Sequence, residues 1–110
     1  MPVSIRIAGN TARPTLLAIQ AKGYKVTSFY TQTGKKLFGT EVNELEATYK
    51  AEKEGCRFSA NDLEELLGLI AMWEMRGNNW LYNSEIEPDI QPELIDSTTI
   101  YDEEGNIIKG

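Results

Sequence analysis

The chain contains no histidine and a single cysteine among its 110 residues, and these two shortages narrow its chemistry at once. Without imidazole there is no Ser-His-Asp triad, no Cys-His dyad and no histidine-ligated metal centre. Cys56 alone cannot close an internal disulfide or hold zinc, and the expected compartment is the reducing cytoplasm. No apolar run approaches the roughly 18 residues of a membrane span. Residues Met1-Pro2-Val3-Ser4-Ile5-Arg6 lack a basic start followed by an apolar stretch, so no signal peptide is expected. Also missing is any acid in residues 1–40, which carry six basic side chains. All 17 acids fall in residues 41–110, beside five bases, so a formal charge of −6 conceals two regions of opposite sign.

What remains is the composition of an ordinary globular chain, 41% hydrophobic and 25% charged, long enough for one core. Val3, Ile5 and Ile7 alternate with Ser4, Arg6 and Ala8, the pattern of a half-buried strand. Asn10 or Thr11 is placed to cap a short helix with Pro14 in its first turn and Gly23 as its left-handed stop. Residues 24–31 read as a second strand, 31–35 as a turn and 36–39 as a short extended piece. Leu45, Ala47, Tyr49 and Ala51 alternate with Glu46, Thr48, Lys50 and Glu52. Lys53-Glu54-Gly55 then turns into Cys56, Phe58 and Ala60, which predicts a hairpin.

A second helix follows. Asn61 and Glu64 have capping-box spacing, Leu63, Leu66, Leu67, Ile70 and Trp73 form one apolar stripe, and Gly77 ends it. Gly68 interrupts the stripe's neighbourhood, and close packing of helix on sheet is the expected reason. Beyond Asn78-Asn79 the chain turns acidic, with Pro88 and Pro92 opposing regular helix. Ile86, Ile90, Leu94 and Ile95 are threaded through it at spacings a free linker would not need, so they are expected to anchor this acidic arm as apolar teeth. Residues 98–101 suit a terminal strand and Glu104-Gly105-Asn106 a turn.

The element order predicts a two-layer α+β domain over residues 1–82 and an acidic C-terminal arm over 83–110, with a terminal strand in the arm as an option. The layer would be one mostly antiparallel sheet of four to five strands with two helices on one face, and a ferredoxin-like split βαβ is one topology with that order.

For function, a non-enzymatic interaction module is expected, which binds or inhibits a basic protein partner through its acidic face. The contact set is Trp80 and Tyr82 as aromatic anchors, with Glu85, Glu87, Asp89, Glu93 and Asp96 supplying charge. The comparison with immunity proteins and other small inhibitors of basic enzymes, bacterial in style, is one of working principle alone. The alternative is a single-stranded nucleic-acid-binding domain that uses the basic residues 1–40, with Tyr24, Phe29, Tyr30 and Phe38 for stacking and the arm as autoinhibitor. An enzyme or ligand carrier would instead need a deep pocket near Gly68. Residues 102–106 do not alternate ligands as a calcium loop does, and Gly34-Lys35-Lys36 lacks the rest of a phosphate loop, so neither cofactor nor metal is expected.

Overall fold

The computed structural model describes residues 2–109, with side chains at all of these except 35–37, 42 and 109. The chain divides into two compact units, Met1–Trp80 and Leu81–Gly110.

In the first unit, helix α1 (Ala12–Ala21) leads into strand β1 (Lys25–Leu37), followed by β2 (Thr40–Lys53), β3 (Cys56–Ala60) and helix α2 (Leu63–Arg76). The strands form an antiparallel meander in the order β1-β2-β3. Gly23, at φ +93°, ends α1 in the left-handed conformation that costs glycine least. Both hairpins close through two-residue turns with positive φ at each position, Phe38-Gly39 and Glu54-Gly55. That geometry matches the twist of the flanking strands.

The 3.6-residue stripe of α2 meets the period-two face of the sheet. Ile19, Tyr24, Ala51, Leu66 and Ile70 form the buried core, and Val26, Tyr49, Phe58, Ala60, Leu63 and Leu67 pack against it. Val26, Ala51 and Phe58 are register partners across the three strands, so both helices sit on one sheet face. Tyr24 and Trp73 flank Phe58 with ring centroids 5.9 Å and 5.7 Å away. Fully burying a side chain such as Leu66 or Ile70 stabilises by about 1.5–3 kcal/mol, so this small cluster carries much of the unit's stability.

The α+β class and the helix-on-sheet layer agree with the sequence, but several expectations need correction. Among the described residues the sheet has three strands, not four to five, and no parallel pair, so a ferredoxin-like arrangement is absent. Residues 3–8 pair with no strand, because alternation supplies a face but not a neighbour to bond with. The turn foreseen at 31–35 is continuous strand, and the chain reverses instead at Phe38-Gly39. The cap of α2 is Asp62, whose carboxylate accepts from the Glu65 N–H at 2.7 Å. A charged acceptor suits the helix N-terminus. Asn61 instead donates through Nδ2 to the Ala47 carbonyl at 3.1 Å. Gly68 is exposed, and a Cβ there would meet nothing within 4 Å, so it serves neither packing nor a pocket.

Because β3 pairs only with Tyr49–Lys53, the rest of the first hairpin runs on as a two-stranded ribbon. Its nine pairs, from Phe29↔Thr48 to Leu37↔Thr40, span about 27–30 Å by strand rise.

The second unit holds a short helix α3 (Gln91–Asp96) and a two-stranded ladder of β4 (Ile100–Tyr101) with β5 (Ile107–Lys109). Pro92 lies in the first turn of α3, where its missing N–H costs nothing, so proline starts this helix instead of blocking it. The Asp102 carboxylate accepts from the N–H groups of Glu104 (3.0 Å) and Asn106 (2.8 Å) and shapes the β4–β5 turn.

Candidate functional site

The seven residues expected to meet a partner fall in both units. Trp80 closes the first, following a single 3-10 turn (Gly77–Asn79), and its carbonyl accepts from Arg76 Nε at 2.8 Å. Its indole is 44% exposed. In the second unit, a loop draws three of the others together: Tyr82 donates its hydroxyl to the Glu87 carbonyl at 3.1 Å, and the Asn83 N–H donates to the Glu87 carboxylate at 2.8 Å. The Glu85 N–H donates to Asn83 Oδ1 at 3.0 Å, and the Glu85 side chain is exposed.

Asp89 has a local task as well, since its carboxylate accepts from the Gln91 N–H at 3.1 Å where α3 begins. Glu93 stands in the first turn of α3 and Asp96 is its last residue. The Glu85, Glu93 and Asp96 side chains make no hydrogen bond or ion pair with any described residue, and all three are exposed. The seven therefore split by role. Glu87 and Asp89 hold the loop in shape, whereas Glu85, Glu93 and Asp96 leave their charge to solvent. The sequence does not separate these roles, because both kinds are carboxylates next to turn residues.

The apolar teeth are exposed too: Ile86, Ile90, Leu94 and Ile95 each present at least 65% of their surface. They were expected to anchor the arm. A six-residue helix and strands of two and three residues offer too little facing surface to bury them within the unit. Residues 81–110 contain eight acids and one lysine, so carboxylates are interleaved with these apolar residues along the chain.

The basic residues of the first third are dispersed. Lys22 Nζ pairs with Glu74 at 2.8 Å, and Lys25 stands opposite Glu52 in the β1–β2 register. Arg6 lies in the extended segment and Arg13 in α1, and the side chains of Lys35 and Lys36 fall outside the described residues. Of the aromatics, Tyr24 is buried and Lys50 Nζ covers the Phe29 ring at 5.2 Å, while Tyr30 and Phe38 are exposed. On the helix-free sheet face Lys25, Lys50 and Arg57 alternate with Glu46 and Glu52, which gives a mixed field. A shallow groove beside the second hairpin turn, lined by Lys25, Lys53, Arg57, Glu52 and Glu54, has the same mixed character.

Among the described residues no three Cys, Asp or Glu side chains converge as a metal site would require. No helix among them is long and apolar enough to cross a membrane. Comparison with models of known families, with curated proteins and with solved structures produced no match.

Proposed function

We propose that the chain is a non-enzymatic interaction module that engages a basic protein through the acidic surface of its second unit. The observation that carries this reading is the combination at Glu85, Glu93 and Asp96: exposed carboxylates without partners among the described residues, beside exposed Ile86, Leu94 and Ile95. Solvated acids give long-range attraction to a cationic surface and fast encounter. Adjacent apolar side chains supply the area that a short-lived encounter lacks, and Tyr82 adds an aromatic anchor whose hydroxyl is already satisfied. Trp80 is an exposed aromatic of the same kind at the end of the first unit.

Affinity capture with the full chain, followed by association kinetics at rising salt, tests the reading. The captured partner should be basic, and its on-rate should fall steeply between tens and hundreds of millimolar salt. Neutralising Glu85→Gln, Glu93→Gln and Asp96→Asn together should lower the low-salt on-rate by about tenfold and leave the high-salt rate nearly unchanged. An on-rate indifferent both to salt and to these substitutions would rule the reading out.

A further inference from the structure

The free edge of β2 and the extended segment at residues 2–8 are complementary. From Ala47 back to Thr40, β2 has β1 on one side and, among the described residues, no strand on the other. Ala47 aims its carbonyl at that open side, where Asn61 Nδ2 meets it, and Tyr49 and Ala51 bond to β3 on the same side. Alternation along an antiparallel strand then aims the N–H and C=O groups of Leu45, Asn43 and Glu41 outward at the same edge. The core-facing row of the sheet also continues along the ribbon past the helices, leaving Tyr30 71% and Leu45 68% exposed. Val3, Ile5 and Ile7 are 77%, 81% and 72% exposed and lie at strand spacing with no strand beside them.

We propose that residues 4–8 of a second copy of this chain add to the β2 edge as an antiparallel strand, and that the two copies exchange these segments reciprocally. One register satisfies both faces. Ile5 opposite Leu45 places Ile7 opposite Asn43, so both apolar side chains extend the core-facing row over Leu45 and Tyr30, and the added strand stops short of Ala47, where Asn61 already takes the edge. Arg6 then stands opposite Glu44 on the other face, with Glu46 next to it.

Charge selects this edge over the outer edges of β1 and β3, the latter carrying Arg57 and no acid. The β2 stretch Thr40–Glu46 carries Glu41, Glu44 and Glu46 and no base, whereas β1 carries Lys25, Lys35 and Lys36 and no acid. Geometry selects a second copy over the chain's own segment. Ala8 is bonded to Thr11, whose Oγ1 lies 2.8 Å from Glu64 in the first turn of α2, close in sequence to Asn61 and hence to Ala47. In the antiparallel register Ala8 belongs opposite residue 42, about 17 Å further along β2. A segment from another copy has no such tether, and reciprocal exchange closes a two-fold dimer.

Sedimentation equilibrium of the full chain over micromolar to millimolar concentration measures this directly. A reversible monomer–dimer equilibrium is expected, abolished by Ile5→Glu and equally by Leu45→Glu, with far-UV circular dichroism unchanged because both positions are exposed. Arg6→Glu should weaken the dimer severalfold, and Arg6→Glu combined with Glu44→Lys should restore it. A chain monomeric at every concentration overturns the proposal. So does a dimer that survives either Ile5→Glu or Leu45→Glu, or one that the charge exchange fails to rescue.

Discussion

Helix α2 and the acidic unit Leu81–Gly110 both thread large apolar residues among carboxylates, yet only α2 buries them. Leu66 and Ile70 have no exposed surface, whereas Ile86, Ile90, Leu94 and Ile95 lie largely in solvent. The difference is one of length and facing. The 14 residues of α2 repeat their apolar positions over almost four turns and meet a sheet face of matching width. The acidic unit has a six-residue helix and a two-stranded ladder, which order the backbone locally through turns and caps without enclosing a core. Apolar content becomes stability in one region and remains available surface in the other.

The largest test of that contrast is truncation on each side of it. Leu66→Ala should cost about 2–5 kcal/mol, since it opens a cavity in a core of only five fully packed side chains. Leu94→Ala should change global stability by less than about 0.5 kcal/mol. Urea denaturation of both variants decides the matter, and comparable losses would mean that the exposed teeth are structural after all. A smaller effect is expected inside α2 itself. Gly68 lies in open space at a helical position, so Gly68→Ala should stabilise by about 1 kcal/mol by the same measurement. Destabilisation would restore a packing role for this glycine.

The subtlest effect concerns pH. Burial of Tyr24, followed by the nearby Glu74 carboxylate, raises its hydroxyl pKa above the ordinary tyrosine value. The unfolded chain therefore loses this proton first, and stability is full below about pH 10 and falls as pH rises beyond it. Tyr24→Phe should flatten that decline relative to the native chain in pH-dependent thermal melts. Parallel curves above pH 10 would show that the core does not sense this hydroxyl.

How much of this was legible beforehand depends on whether a signal was local. The Glu54-Gly55 hairpin, the apolar stripe of α2 and the stops at Gly23 and Gly77 were readable because turn chemistry and helical spacing act over a few residues. The acidic cluster is visible in the sequence, but the parts its members play are not, since only the hydrogen bonds separate the loop-forming Glu87 and Asp89 from the solvated Glu85, Glu93 and Asp96. The Phe38-Gly39 turn was hidden. A bulky residue at φ +51° is disfavoured locally, whereas Gly34 offered an easier reversal. Thirteen residue pairs between β1 and β2 outweigh that local preference.

By itself the sequence determined the α+β class, the two regions of opposite charge and the faces that each long element would present. These follow from periodicity and composition, which are properties of the chain. Tertiary structure decided which faces found neighbours: that β3 covers only part of β2, that the Val3–Ala8 alternation has no strand beside it, and that the acidic unit keeps its apolar side chains in solvent. Pairing and burial depend on what lies across from a residue, and a linear pattern specifies one side of each contact only.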